Sequence, residues 1–266
     1  MHTRVMYQAD AFADEVFRGN PAAVLVLTDD LSDKTMQAIA LENNLAETAF
    51  VKHIADNRFS LRWFTPMIEA NFCGHATLAT AHVLMSDYSF TGPLYFQTKA
   101  GELVVKKHRS GFYELDLPRL DPEPVGEWPD ILKRLYGSDA IDMFKTFENY
   151  FVVLRDEEKV RADNPDFSTL AKLQPYCVVI TARGTGPDDF VSRYYAPAAG
   201  IPEDPVTGSI HATLVPYWAE KLGKKQLSAY QASFRGGRLA CTLTKDRVLI
   251  LGNVVTYMKA EIYLPL

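Results

Sequence analysis

One pattern occurs twice in this 266-residue chain, and it constrains the fold more than any other feature. The first copy lies within residues 64–77 and the second within residues 195–213. Each copy runs from an aromatic residue through a small residue and a proline to an acidic residue. Each then reaches a glycine and a polar residue that open an apolar stretch. A duplicated unit of this kind predicts a duplicated fold, in which the two halves resemble each other.

The composition is that of an ordinary globular protein, with 47% apolar and 23% charged residues. A net charge of −5 gives no indication of nucleic-acid binding. No window approaches 18 uninterrupted apolar residues, and the N-terminus lacks the apolar run of a signal peptide, so we expect no membrane span and a cytoplasmic location. The cysteines are three in number and widely spaced, which argues against a disulfide framework and against a zinc site, and we expect no metal.

Strand-like and helix-like segments alternate along both halves. Ser32 is a plausible N-cap, and Gly223 a plausible C-cap, for two of the helices. The acidic segment 156–159 is interpreted as a solvated turn, and Gly19-Asn20-Pro21 as another turn. Helices are predicted at about 33–43, 75–85, 129–136, 168–173 and 210–222.

The segment from Pro118 to Pro129 contains four prolines and is the best candidate for an inter-domain linker. We therefore predict domains at 1–118 and 119–266, with the last strand able to pack back on the first domain. The helices that follow the two glycines are apolar around most of their circumference, which predicts burial inside a sheet. The predicted fold class is α+β, with two pseudo-symmetric domains that each wrap a curved, mostly antiparallel sheet around a central helix.

The two helix entries, Gly74-His75 and Gly208-Ser209, are candidates for binding a small anion. Backbone N–H groups in a first helical turn, together with the helix dipole, favour negative charge. For either entry alone, an ordinary helix start with a packing glycine is the more common explanation. Their matching positions in the repeat favour one anion site to which both halves contribute.

The segment before the second helix contains two adjacent acids, Glu203 and Asp204. Acidic residues at this position could simply interact favourably with the positive end of the helix dipole. Pro205 disfavours helical geometry at Asp204, so this carboxylate is also a candidate acceptor for a substrate amine or hydroxyl. Thr207 and Ser209 complete the candidate binding segment.

Glu47 lies among small and apolar residues, where desolvation tends to raise the pKa of a carboxyl and suits it to proton transfer. A surface glutamate at a strand end is an equally common explanation. Cys73 suggests a racemase with one thiol from each half, but its partner in the repeat is Thr207, which argues against that chemistry. Cys73 is better explained as a small pocket or core residue.

At these positions the sequence resembles the PhzF family of phenazine-biosynthesis proteins, whose fold is that of diaminopimelate epimerase. The Glu-Asp-Pro-Val-Thr-Gly-Ser segment is the most specific match, and together the matches span nearly the whole chain. The matching segments are 10–12, 19–24, 45–50, 64–66, 73–77, 203–209 and 236–238.

The resemblance implies two similar domains with an active site in the cleft between them, proton transfer without a cofactor or metal, and a homodimer. In the characterised phenazine enzyme, a glutamate moves a proton between ring carbons of trans-2,3-dihydro-3-hydroxyanthranilate. Glu47 matches that glutamate, and His75, Asp204 and Ser209 match positions that contact the substrate.

We therefore predict a cofactor-independent isomerase that acts on a small carboxylate-bearing molecule, with Glu47 as general acid and base. The predicted substrate-binding residues are Gly74, His75, Asp204, Thr207, Gly208 and Ser209. Two alternatives remain open at this point: an amino-acid epimerase or racemase, and a non-catalytic small-ligand-binding protein of the same fold.

Overall fold

The computed structural model describes the backbone of residues 2–264 and the side chains of residues 3–264. The chain forms two compact units. The first unit comprises the residues up to Asp116 together with those from Leu251 onward, and the second comprises Leu117–Ile250. Among the described residues, no helix has both the length and the apolar composition needed to cross a bilayer.

Within residues 2–264 the chain forms six α-helices, and most of its regular structure is β-strand. They are α1 (Asp33–Asn43), α2 (Gly74–Asp87), α3 (Asp130–Tyr136), α4 (Glu157–Ala162), α5 (Phe167–Leu170) and α6 (His211–Leu222). The predicted caps are confirmed. The side chain of Ser32 accepts a hydrogen bond from the backbone N–H of Thr35, and Gly223 ends α6 in the left-handed conformation.

The strands are numbered in chain order. Up to residue 118 they are β1 (His2–Ala11), β2 (Asn20–Leu27), β3 (Glu47–Ala55), β4 (Arg58–Phe64), β5 (Glu69–Ala70), β6 (Leu94–Thr98), β7 (Gly101–Lys107) and β8 (Tyr113–Pro118). Beyond it they are β9 (Glu123–Pro124), β10 (Ala140–Lys145), β11 (Asn149–Leu154), β12 (Cys177–Arg183), β13 (Phe190–Ala196), β14 (Ile201–Asp204), β15 (Gln226–Gln231), β16 (Gly237–Leu243), β17 (Arg247–Gly252) and β18 (Val254–Leu264).

Both units use the same order of strand pairing. In the first unit β2 is parallel to β3, β3 is antiparallel to β4, and β4 is parallel to β6, which is antiparallel to β7. In the second unit β11, β12, β13, β15 and β16 repeat that sequence of parallel and antiparallel pairs. β18 returns to the first unit and pairs antiparallel with β1. The expected α+β fold with two related, mostly antiparallel halves is confirmed.

The strand registers identify a counterpart for Glu47 that the sequence motifs do not reveal. In the first unit Thr48 lies opposite Phe64, and in the second unit Val178 lies opposite Tyr195. Phe64 and Tyr195 open the two copies of the repeat. Glu47 directly precedes Thr48, and Cys177 directly precedes Val178. Glu47 and Cys177 therefore occupy equivalent positions in the two units.

Each unit buries one long apolar helix. Most of α2 is buried, and it packs against β1, β2 and β3 of its own unit. Nine of the twelve residues of α6 are buried, and it packs against β15 and β16. A helix that is apolar on nearly every side has no face suited to water, so burial is its stable placement. The expectation from the sequence is confirmed here.

Two details of the second unit differ from the sequence predictions. α6 begins at His211, because residues 208–210 form a tighter turn in which the N–H of His211 bonds to the carbonyl of Gly208. The acidic segment 156–159, interpreted as a solvated turn, instead opens α4. Glu157 is buried there, and its carboxylate accepts hydrogen bonds from the backbone N–H and the hydroxyl of Thr185.

Candidate active site

Four polar side chains of the first unit converge at the start of α2: Asn20, Glu47, Cys73 and His75, hereafter the Glu47 cluster. His75 Nε2 lies 3.2 Å from Glu47 Oε2. His75 Nδ1 lies 3.1 Å from the amide nitrogen of Asn20 and 3.5 Å from Cys73 Sγ. Asn20, Cys73 and His75 are buried, whereas the Glu47 side chain is 13% exposed. The carboxylate is therefore the member of the cluster with the most access to solvent.

The topology explains why these residues meet. Asn20 is the first residue of β2 and Glu47 the first of β3, and these strands run parallel with Ala22 beside Glu47. The starts of two parallel strands lie at one edge of a sheet, so both side chains reach the same end. Cys73 is the N-cap of α2, and its helix packs across the same strands. Residues far apart in sequence are thus assembled at one point.

The loop between β1 and β2 fixes the position of Asn20. Asp10 is buried, and its Oδ2 accepts a hydrogen bond from the backbone N–H of Phe17 at 2.9 Å. Gly19 has φ +64, and a Cβ there would lie 2.1 Å from the carbonyl oxygen of Ala11. Only glycine fits such a close approach of two backbone segments. The segment 19–21, interpreted as a turn, is in fact where this turn ends and β2 begins.

The contact with Asn20 determines which nitrogen of His75 carries the proton. An amide NH₂ group only donates, so His75 Nδ1 acts as the acceptor in this pair. In a neutral imidazole the proton then resides on Nε2, which faces Glu47. The protonated nitrogen of His75 is therefore the one nearest the carboxylate, although Nε2 and Glu47 Oε2 are not aligned for a hydrogen bond.

Burial also sets the charge of His75, because desolvation lowers its pKa to about 3. The imidazole is consequently neutral near pH 7. The 3.2 Å approach of His75 to Glu47 would be an ion pair only with a protonated imidazole. The contact therefore joins a carboxylate and a neutral imidazole, because burial of His75 opposes the protonated form of its ring.

The start of α2 provides polar backbone beside the same cluster. The side chain of Cys73 makes no capping hydrogen bond to the helix, and the N–H of Thr77 bonds to the carbonyl of Cys73. Gly74 is buried at the first helical position. A first turn of this kind carries the partial positive charge of the helix dipole.

The predicted residues of the second unit form a separate hydrogen-bonded group. The hydroxyl of Thr207 donates to Asp204 Oδ2, and both residues are buried. Gln231 ties the segment together, because its Oε1 accepts from the N–H of Thr207 at 2.8 Å and its Nε2 donates to the carbonyl of Asp204 at 2.9 Å. Gly208 is buried and Ser209 is exposed in the turn before α6.

Glu203, the acid next to Asp204, has a different partner. Its carboxylate accepts two hydrogen bonds from Arg193, at 2.6 and 2.8 Å. A bidentate pair of this kind fixes both side chains. Of the two adjacent acids, Glu203 is thus engaged in a strong structural pair, and Asp204 is the one that bonds with the predicted binding segment.

The structure thus brings Glu47 and His75 together and, in the other unit, Asp204 and Thr207. The prediction that the two helix starts serve one anion stays a prediction. Sequence reasoning missed Asn20 and Gln231 as members of these groups. Asn20 carried a usable signal, since it lies in a matching segment of the resemblance, whereas Gln231 lies in a strand without a recognisable motif.

Comparison with known proteins gives a consistent result. Residues 9–260 match the sequence model of the PhzC-PhzF family, described as phenazine biosynthesis-like protein. An uncharacterized isomerase of Pseudomonas aeruginosa is 46% identical over 260 residues, covering 97% of this chain and 98% of that protein. An uncharacterized isomerase of Halalkalibacterium halodurans is 42% identical over 267 residues, covering 99% and 100%.

Solved structures show the same relationship. The crystal structure of a phenazine biosynthesis protein of the PhzF family from Enterococcus faecalis has a TM-score of 0.93 and 45% identity, covering 99% of this chain and 100% of that one. A hydroxyproline epimerase from Agrobacterium vitis has a TM-score of 0.59 at 10% identity, covering 98% and 92%. At that low sequence identity, the similarity to the epimerase shows only a shared fold.

Proposed function

Since the chain belongs to the PhzC-PhzF family of phenazine biosynthesis-like proteins, we propose that it moves a proton between two carbons of a small carboxylate-bearing substrate, with Glu47 as general acid and base. The chain is an isomerase, as its relatives are named. The proposal adds the chemistry, which needs neither a metal nor an organic cofactor.

The observation that carries the proposal is the close contact of the Glu47 carboxylate with the neutral imidazole of His75. Glu47 is partly exposed, and His75 Nε2 lies 3.2 Å from its Oε2. Contact with a neutral imidazole restricts the position of a carboxylate without neutralising its charge. Because the imidazole is neutral near pH 7, it is a much weaker acid than a protonated carboxyl group and does not compete with Glu47 as a proton donor. One carboxyl group is then the carrier.

The proposed reaction balances with this single group. Glu47 removes a proton from a substrate carbon, and the electron pair of the broken C–H bond enters the adjacent unsaturated system of the substrate. The new carboxylic acid then returns its proton to a second carbon of that system. The net change is a migration of one hydrogen and one double bond. Positioned acid–base groups contribute about 10²–10⁴-fold to such steps.

Substrate binding is the second part of the proposal. The backbone at the start of α2, at Gly74 and His75, would hold the substrate carboxylate, supported by the helix dipole. Asp204, Thr207, Gly208 and Ser209 are proposed to contact the substrate as well. The hydrogen bonds among Asp204, Thr207 and Gln231 support this role, because they hold the segment in one conformation.

The first test follows isotope uptake across a panel of candidate substrates. Small carboxylates with a C–H bond next to an unsaturated group are incubated with the protein in D₂O and followed by proton NMR. We expect double-bond migration in a subset of them. Glu47→Gln should lower its rate by about 100-fold or more, whereas Glu42→Gln, an exposed carboxylate on α1, should leave it unchanged.

Near-wild-type turnover by Glu47→Gln would remove Glu47 from the mechanism. Inversion at a carbon without migration would indicate the epimerase alternative instead. Saturable binding of a substrate without exchange or migration would indicate the non-catalytic alternative.

A homodimer and a cytoplasmic location complete the proposal; the homodimer is implied by the family resemblance, and the location is the expectation from the sequence. Sedimentation analysis of the purified protein should give twice the mass of one chain. Fractionation of the producing cells should recover the protein with cytoplasmic enzymes.

A further inference from the structure

Three side chains of the Glu47 cluster carry donor atoms that suit a soft or borderline divalent cation. One ligand atom each from Glu47, Cys73 and His75 can be chosen so that all lie within 4.8 Å of one another. The set combines a carboxylate oxygen, a thiol sulfur and an imidazole nitrogen. Zinc binds all three donor types, whereas magnesium and calcium prefer oxygen alone.

A set of one ligand atom per residue spans up to 4.8 Å, about 1 Å more than a tetrahedral ion requires. Zn–S bonds of about 2.3 Å and Zn–N or Zn–O bonds of about 2.0–2.2 Å place ligand atoms roughly 3.3–3.7 Å apart. His75 lies 3.2 Å from Glu47 through Nε2 and 3.5 Å from Cys73 through Nδ1. These two distances involve different nitrogens of the imidazole, so ligation of one ion by a single nitrogen requires the side chain of Cys73 or Glu47 to rotate towards that nitrogen.

We propose that Glu47, Cys73 and His75 form a three-ligand site for Zn²⁺ or a similar thiophilic cation, which holds Glu47 and prevents proton transfer. Binding forms Zn–O, Zn–N and Zn–S bonds and releases the thiol proton to solvent. Three protein ligands leave a fourth position for water or a substrate carboxylate. Cation binding follows from the donor set alone, while the block on turnover rests on the proposed function.

Asn20 can hydrogen-bond to His75 both with and without a bound cation. Coordination through His75 Nε2 moves the imidazole proton to Nδ1, which faces the Asn20 amide at 3.1 Å. A half-turn of the amide presents its oxygen as the acceptor for that proton. The hydrogen bond is thereby retained, and an outer partner of this kind orients a metal-bound imidazole. The partly exposed Glu47 side chain provides the route of entry from solvent.

The test uses metal-stripped protein titrated with Co²⁺, which substitutes for Zn²⁺ and reports a thiolate ligand by a sulfur-to-cobalt charge-transfer band. We expect one equivalent per chain, with the band present in the wild type and in Cys177→Ser, the matched control outside the cluster. The band should be absent in Cys73→Ser. Competition with a chromogenic chelator should show Zn²⁺ affinity lowered at least tenfold in Glu47→Gln.

Thermal unfolding without metal shows whether each variant is folded. If Cys73→Ser is unstable, Glu47→Gln serves as the second variant that tests the site. The proposal is overturned if wild-type protein gives no charge-transfer band, if Cys73→Ser retains it, or if folded Glu47→Gln binds Zn²⁺ with unchanged affinity. These readouts need no turnover, so they are independent of the proposed function. The proposed loss of proton transfer is tested separately, by inhibition of isomerase turnover with one equivalent of Zn²⁺ and its recovery on addition of a chelator.

Discussion

At the scale of single residues, the Asn20 amide controls the state of the proposed proton carrier through His75. Its N–H group donates to His75 Nδ1 and so holds the imidazole proton on Nε2, facing Glu47. Without that donor the two neutral tautomers would interconvert, and a lone pair would face the carboxylate for part of the time. A role in positioning thus belongs to a residue that makes no predicted contact with substrate.

The substitution Asn20→Ala should therefore lower kcat about tenfold, with a smaller change in KM, because orientation of the carboxylate is lost while substrate binding remains. Nitrogen NMR of His75 should show both tautomers in the variant and one in the wild type. The control is Asn43→Ala, which removes an amide that bonds to Thr48 outside the cluster. A single unchanged tautomer in Asn20→Ala would contradict this account.

The same scale shows the limits of sequence reasoning. Glu47 and His75 could be singled out as candidates because each lies in a short segment of the resemblance. Asn20 lies in such a segment too, but the flanking glycine and proline favour its interpretation as part of a turn. Gln231 could not be found, because its two bonds to the 204–207 segment join residues 24 and 27 positions apart. Only the three-dimensional path of the chain brings them together.

At the scale of elements, α6 contains an internal proline whose effect is compensated elsewhere in the second unit. Pro216 has no N–H, so it cannot bond to the carbonyl of Ala212, four residues earlier. That carbonyl instead accepts a hydrogen bond from the N–H of Leu120 at 3.0 Å. The proline-rich segment that the sequence marks as a linker is thus fastened to the buried helix of its own unit.

Hydrogen exchange should reveal this bond. In the wild type, the Leu120 amide should exchange more slowly than those of its neighbours in the segment. Pro216→Ala restores a competing helix donor to Ala212, so exchange at Leu120 should become faster while the α6 amides stay protected. Equal exchange at Leu120 in both proteins would show that the bond to Ala212 contributes nothing.

The pairing of β4 with β5 contributes a pH-dependent term to stability. Hydrogen bonds from Arg62 at 2.8 and 2.9 Å, with a further contribution from Lys99, lower the pKa of Glu69 from 4.5 to about 2. A carboxyl whose pKa is lower in the folded state stabilises the fold fully above pH 4.5. This stabilisation is lost as the pH falls from 4.5 towards 2.

Glu69→Gln should therefore cost about 1 kcal/mol of unfolding free energy at pH 7, because the pair is only partly shielded from solvent. The difference from the wild type should shrink as the pH is lowered through 4.5 and 3.5. Urea unfolding at these pH values measures it, with Glu42→Gln as an exposed control. A difference that stays constant with pH would exclude ionisation of Glu69 as its cause.

At the scale of the whole molecule, the duplication predicted from two short motifs is confirmed by the repeated order of strand pairs. The buried helices α2 and α6 could be predicted because their apolar composition leaves no exposed face. The structure divides the chain after Asp116 and again before Leu251. The pairing of β18 with β1 agrees with the expectation that the last strand can pack back on the first domain, whereas the register of that pair depends on long-range packing.

The correspondence of Glu47 with Cys177 could not be predicted, because the segments that contain them share no motif. It emerges only from strand register, which long-range packing determines. The failure at 156–159 has a similar cause. An acidic run suits either a turn or a first helical turn, and the bond of Glu157 to Thr185 decides between them.

The central claim is that one carboxylate, Glu47, removes a proton from one carbon and returns it to another. Its most direct test uses a substrate found in the D₂O screen, labelled with deuterium at the carbon that loses its hydrogen and followed through a single turnover in H₂O. We predict that part of the label appears at the accepting carbon of the product, and that Glu47→Gln forms no such product. Complete loss of the label to solvent, or the same label transfer in Glu47→Gln, would contradict the account.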